Sequence, residues 1–432
     1  MIRRTALAVL TLPLLLVLAP CVVAGHDAVL PCDADSGVAL AAQQAASGIT
    51  VIDSGVEIRF PEEARFTLEA QSATDIVDVR LRYSVDRMRH IEVVSEGWAG
   101  FEPADTVEAS WVWDMRKASL PPGAGVTYWW LVEDAVGNKL ETPPETMRFD
   151  DDRYQWQSIT ASGFLAGGEG SQGGEVTLYW YQGSESFARE LLDECETGLA
   201  RLTEDIGAYP DRPIQIYVYA SPRDLQGAMV FPHEWTGGVA FTEFSTIAIG
   251  IAPAQRDWGK RALVHELTHL VVHQATFSPY GQLPTWLDEG LATYNEGALL
   301  PELRSRLERA ADEDRLISVR SLCSPFSAES EKARLSYAQS YSLVAYLLDN
   351  YGQDRMLELL TVLKEGSTYD DALIGVYGFD IEGLDARWRA TLSGLEPANS
   401  PPVWLSYGPA LLFAALAMVV ALVGVLAFRR RR

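Results

Sequence analysis

The chain has little cysteine and little histidine: four and six residues in 432. So few cysteines exclude a disulfide-stapled scaffold, and none of their spacings suits a cysteine zinc site. Cationic charge is scarce as well, with 35 Lys and Arg against 59 Asp and Glu. Six of those cations are Arg3, Arg4 and the four arginines at 429–432, and no acid lies beside them. The body between therefore carries −30, against −24 for the whole chain. Such a surface is repelled by phosphate backbones, which excludes a nucleic-acid partner and favours neutral or basic ones. There is no internal repeat. Hydrophobic residues at 48% and charged residues at 22% are the balance of a folded chain rather than a disordered one.

The two ends carry long runs that are both charge-free and strongly apolar. "MIRRTALAVLTLPLLLVLAPCVVAG" has a basic start, an apolar run, and Val22 and Ala24 at cleavage positions, so residues 1–24 read as a secretory signal. Cys21 raises lipidation as an alternative, which Pro20 argues against. Residues 408–428 carry no charge and have the roughly 20-residue length of a bilayer span. The arginines at 429–432 follow it, and cations beside a span stay on the cytoplasmic side. The expectation is a single-pass protein of the cell membrane, with its catalytic body outside, a transmembrane helix over 408–428 and a cytoplasmic tail over 429–432. In that oxidising compartment one disulfide, Cys195–Cys323, is open to the chain; unpaired, buried thiols are the alternative.

From 48 to 150 the pattern is short alternating strands, such as "RFTLEA", "VDVRLRYSV" and "VTYWWLVED", separated by Pro, Gly and Asp. About seven strands in about 100 residues predict a β-sandwich. "YWWLVEDAVGNKLETPP" resembles a late strand and turn of fibronectin type III or immunoglobulin-like modules. Trp111, Trp113, Trp129 and Trp130 are candidates for a carbohydrate platform, but alternation alone buries half of them. After the glycine-rich stretch "ASGFLAGGEGSQGGE" come strands with intervening helices, and beyond residue 301 nearly everything reads as helix. Strands first and helices after predict an α+β domain over 160–395. A proline-containing stalk spans 396–407.

The chemistry concentrates in "RALVHELTHLVVHQ", residues 261–274. A helix brings positions four apart onto one face, so His265 and His269 offer imidazoles to one cation. Glu266, one residue round, is placed to take a proton from water without ligating. The flanks Leu263, Val264, Leu267, Leu270, Val271 and Val272 make the helix apolar on most sides, so the site lies inside the protein. Zinc on two imidazoles needs a third protein ligand. His273 is four beyond His269, but three turns of one straight helix spread ligands over about 12 Å, too far for one ion. It reads instead as a supporting or packing residue. A metzincin arrangement requires a third histidine six positions after the second, where this chain has Ala275.

"LPTWLDEGLATYNEG" follows, with Glu289 twenty positions after His269. The pair "HELTH" and "WLDEGLATY" resembles the gluzincin metallopeptidases of the peptidase MA-like group. That resemblance implies a thermolysin-like fold, one zinc per chain, and Glu289 as third ligand beside His265 and His269. Asp288 and Glu296 are its competitors. Thr293, one turn beyond Glu289, is a candidate for orienting it. "YAQSYSLVAYLLDNYG" is similar to the helix that supplies a catalytic tyrosine in gluzincin aminopeptidases, which implies Tyr337 as oxyanion donor, with Tyr341 as the alternative. One departure counts against an aminopeptidase. The edge-strand carboxylate that grips a free amine in that group falls at Ala240 of "GGVAF", and Glu243 substitutes only with a register shift. The expected function is a membrane-anchored, extracytoplasmic zinc metallopeptidase acting on peptides or proteins, an endopeptidase rather than an aminopeptidase, with Glu266 as general base. The rival is a catalytically silent binding or adhesion ectodomain with a zinc-peptidase-like fold.

Overall fold

The structure, a computed structural model, describes residues 44 and 47–392, apart from 165–173, 207–209, 211, 232–236 and 281. Strands β1 (Thr50–Arg59), β2 (Glu63–Val85), β3 (Ser95–Trp98), β4 (Ala104–Asp114), β5 (Ala124–Asp134), β6 (Lys139–Glu141) and β7 (Glu145–Phe149) form a first sheet. Strict alternation makes it one-faced: along β5 every second side chain is buried. The 23 residues of β2 organise it. Residues 63–71 lie between β1 and β4, and residues 76–85 between β3 and β5. The register slips between the two halves, which lets one strand bend and change partners. The expected two-sheet sandwich is thus one seven-stranded sheet, because a single long strand carries hydrogen bonding from one half to the other. Trp113 and Trp130 are buried, while Trp111 packs on Phe66 and Tyr83, and Trp129 donates to Glu141.

The second sheet contains β8 (Gln157–Phe164), β9 (Gly174–Trp180), β10 (Ile214–Tyr219), β11 (Gly238–Phe241) and β12 (Thr246–Gly250), in the order β11-β12-β10-β9-β8. The three central strands run parallel, and the two edges are antiparallel. Parallel neighbours require crossovers, supplied by α1 (Glu185–Ile206) and α2 (Pro222–Gln226). The α+β expectation is therefore corrected to a mixed α/β arrangement, since helices alternate with these strands rather than only following them. Alternation along "IQIYVY" sends Ile214, Ile216 and Val218 to the helical core and Tyr217 and Tyr219 to the core of the first sheet. Tyr219 donates to Asp151, and Tyr179 stacks on Tyr217 at 4.7 Å, so the two sheets meet through an aromatic layer.

Helices α3 (Arg256–Ala275), α4 (Thr285–Asn295), α5 (Pro301–Asp312), α6 (Ser330–Tyr351), α7 (Gln353–Lys364), α8 (Tyr369–Tyr377) and α9 (Ile381–Leu392) follow among the described residues. The expected membrane helix is corrected: among the described residues no helix is long and apolar enough to cross a membrane. The longest, α1 and α6, have 22 residues but carry acidic and basic side chains such as Glu185, Arg189, Lys332 and Asp349. The expected signal, stalk, span and tail lie outside the described residues. The single-pass localisation and the membrane contact through a C-terminal helix are withdrawn with it. Cys195 and Cys323 are free thiols rather than a disulfide, the first inside the helical core and the second partly exposed.

Candidate metal centre

Helix α3 is held by its apolar sides. Leu263, Val264, Leu267, Leu270, Val271 and Val272 are buried, which leaves His265, Glu266, His269 and His273 on the remaining, half-buried face. Helix α4 returns across that face with Trp286 and Leu287 buried beneath it. On its far side Gly290 meets α6, where a Cβ would stand 2.6 Å from the Ser340 carbonyl oxygen and 2.7 Å from Val344. Only glycine permits that approach, and it brings Tyr337, one turn before Ser340, to the histidines; the rings of Tyr337 and His265 lie 6.3 Å apart. Tyr341 packs on Tyr294 instead.

Three of the expected ligands converge. Nε2 of His265 and Nε2 of His269 are 3.2 Å apart, and Glu289 Oε2 lies 3.3 and 3.4 Å from them. Ligand atoms 2.0–2.1 Å from a tetrahedral zinc stand about 3.3 Å from one another. Moreover, Glu289 Oε2 is buried with no hydrogen-bond partner, an arrangement that proteins rarely leave uncompensated. The donor set and its spacing fit the ion.

Behind each imidazole stands a carboxylate. Nδ1 of His265 meets Glu296 Oε1 at 2.9 Å, and Nδ1 of His269 meets Asp288 Oδ1 at 2.9 Å. Such partners hold the ring proton on Nδ1 and aim Nε2 at a metal. Asp288 Oδ2 also takes His273 Nε2 at 2.9 Å, so His273 supports the site through Asp288. His269, His273 and Asp288 form a second group with metal-ligand spacing, but both oxygens of Asp288 are already committed to imidazoles. Thr293 bonds the backbone carbonyl of Glu289 rather than its carboxylate. Sequence reasoning treated Asp288 and Glu296 as rival ligands and missed them as supports. Glu296 lies seven residues after Glu289, two turns on along one face, a signal that was available.

The site draws positive charge. Burial would lower the His265 imidazole, but Glu289 and Glu296 pull it up to about 9. Burial would raise Glu289, yet the two imidazoles hold it down to about 2. Glu266 has its carboxyl pushed up by burial, outweighing the nearby histidines. Its carboxylate packs on β11, where a Cβ on Gly238 would stand 2.8 Å from Oε1. Burial, reinforced by Glu289 and Glu266, raises the Tyr337 phenol well above its ordinary value and keeps it protonated.

These groups line a cavity of about 770 Å³ between β11 and α3, with Trp258 and Leu300 at its rim. Among the described residues β11 pairs only with β12, and its Gly238, Val239 and Ala240 line the cavity. The loop after β2 abuts both walls where they leave the cleft. Met88 N–H donates to the Glu243 carbonyl, and His90 stacks on Phe277 at 4.3 Å. Glu243 turns outward to Arg87 at 3.1 Å, away from the cavity.

Among solved structures, an M1 zinc metallopeptidase from Deinococcus radiodurans is 13% identical, with 82% of this chain and 96% of that chain covered and a TM-score of 0.34. Legionella pneumophila aminopeptidase A in complex with aspartic acid is 13% identical over 81% of this chain and 48% of its own, with a TM-score of 0.32. A family 56 carbohydrate-binding module, a beta-1,3-glucan binding domain, is 17% identical over 23% of this chain and 98% of its own, with a TM-score of 0.15. These superpositions are too loose to transfer chemistry. No curated protein matches the chain. Residues 194–394, which include both helices of the metal centre and the helix of Tyr337, match the family model of the Peptidase MA superfamily, and it is this superfamily that the region resembles.

Proposed function

We propose that the protein is a zinc-dependent peptidase that binds one ion through His265, His269 and Glu289 and cuts within peptide or protein chains. The observation that carries this reading is the triangle of three donor atoms 3.2–3.4 Å apart, one of them an orphaned buried carboxylate oxygen. Zinc, when bound, supplies a Lewis acid that acidifies water and polarises a carbonyl. Glu266 has no ligating duty in this set. Its raised carboxyl suits it to take a proton from water and return it to the leaving amine. Tyr337, protonated and beside His265, donates a hydrogen bond to the developing oxyanion. The edge of β11 away from β12, which has no strand partner among the described residues, offers N–H and C=O groups to an extended peptide.

The preference for internal bonds rests on the carboxylates. An aminopeptidase must pair the substrate's ammonium next to the bond it cuts, because an unpaired buried charge is costly. Asp288 and Glu296 are engaged with histidines, Glu243 faces Arg87, and Ala240 occupies the strand position between. Asp257 lines the cleft but lies eight residues before His265, about 12 Å along the helix. The test is one peptide with and without an N-terminal acetyl group, incubated with the purified protein, with chelator and with restored zinc. Cleavage of both forms that disappears on chelation and returns with zinc is the expected outcome. Chelator-insensitive cleavage, or none, removes the zinc-peptidase reading. Cleavage restricted to the free amine, one residue at a time, replaces it with an aminopeptidase.

A further inference from the structure

The cleft carries a cation that the metal chemistry does not need. Arg261 lies four residues before His265, on the same face of α3 and about 6 Å along it. It lines the cavity, and its side chain is 32% exposed. One guanidinium nitrogen is anchored, at 3.3 Å from both Glu296 Oε2 and the Ala298 carbonyl. Among the described residues no acceptor meets its Nε or its other terminal nitrogen. Among the described residues Arg261 is also the only Lys or Arg lining the cavity, whose other charged or imidazole side chains are carboxylates and histidines, in a chain of charge −24. A planar guanidinium fixed at one corner keeps an open edge that matches a carboxylate. Trp258, three residues earlier and half-exposed beside Gly237, provides an apolar surface next to that edge.

We propose that Arg261 is the substrate-recognition residue of the cleft and takes a carboxylate about two residues along the peptide from the bond that is cut. The spacing follows from the 6 Å offset and the 3.3–3.6 Å that one extended residue spans. The proposal rests on the peptidase reading for the position of that bond, but binding tests it without turnover. The carboxylate comes either from the peptide's C-terminus or from an Asp or Glu side chain.

Calorimetry on the zinc-loaded Glu266→Gln protein separates these sources. One pair of acetylated peptides compares a C-terminal acid with its amide. A second pair, both amidated, compares Asp with Asn two residues beyond the bond cut. In one pair the carboxylate form binds about tenfold tighter or better, the scale of a charge-assisted pair. With Arg261→Gln added, that preference falls to about threefold or less while zinc content stays at one per chain. Arg261→Lys, which keeps the charge and the reach to Glu296, retains part of it. Equal binding within both pairs overturns the proposal. So does a preference that survives Arg261→Gln, or loss of zinc in both Arg261 variants, which would make the residue a prop for Glu296. A protein that shows the preference but cuts no peptide would refute the peptidase reading and leave the carboxylate site standing.

Discussion

Removing Asp288 tests whether the metal centre is built as its hydrogen bonds suggest. This carboxylate accepts from Nδ1 of His269 and from Nε2 of His273, each at 2.9 Å. Holding a cation through Nε2 requires the ring proton of His269 on Nδ1, and Asp288 is the group that receives it. In Asp288→Ala that N–H is left in a half-buried site without its acceptor, and the ring is free to take the wrong tautomer. An unpaired buried donor costs about 1–3 kcal/mol. At about 1.4 kcal/mol per decade, and by analogy with other partners behind metal-bound histidines, zinc affinity should fall about 10- to 100-fold. Asp288→Asn should fall less, since its amide oxygen can still face one of the two rings. The assay is zinc competition against a chelator of known affinity, with Glu289→Ala alongside. Affinity within about twofold of the parent in Asp288→Ala would refute the supporting role. A loss as large as that of Glu289→Ala would make Asp288 a ligand and shift the centre toward His269 and His273.

Glu266→Gln should keep zinc and lose hydrolysis by about 100-fold or more, the scale for a positioned general base; activity within about twofold of the parent would put the base elsewhere. Tyr337→Phe should leave zinc affinity unchanged and lower kcat by about 100-fold or more, and an unaltered kcat would leave Tyr337 as a packing residue. Gly238→Ala should retain fold and zinc yet lower kcat by about tenfold or more, because the new methyl at 2.8 Å from Glu266 Oε1 must displace the base; kcat equal to the parent's would show that the two groups are not in contact. Away from the site, burial would raise Asp134, but Asn138, Ser72 and the Val136 amide hold it down to about 2. With its folded pKa below the unfolded value of about 3.9, its contribution to stability is present above that value and is lost as pH falls toward 2. Asp134→Asn should therefore flatten the decline in Tm between pH 4 and 2, and an unchanged slope would assign that decline to other carboxylates.

Much of the site was legible because helical periodicity is local. His265, Glu266 and His269 needed only a helix, and the apolar flanks of residues 261–274 supplied one. Glu289 required a resemblance, since nothing within either helix says that two segments twenty residues apart face each other. The roles of Asp288 and Glu296 were hidden for a related reason: a carboxylate beside a ligand reads as a rival ligand until the direction of each oxygen is seen. The bent strand β2 was equally opaque, because alternation reports which face a residue takes and not which neighbour its backbone bonds.

The sequence by itself determined the pattern of buried and open faces, the peptidase motifs and the acidic body, because each depends on residue type and short spacing. Tertiary structure alone decided that three donor atoms meet at 3.2–3.4 Å, that Gly290 lets α6 close in with Tyr337, and that Arg261 opens into the cleft. Those outcomes depend on how helices cross and how near their backbones come. That geometry is set by the packing of the whole core and is not written in any one segment.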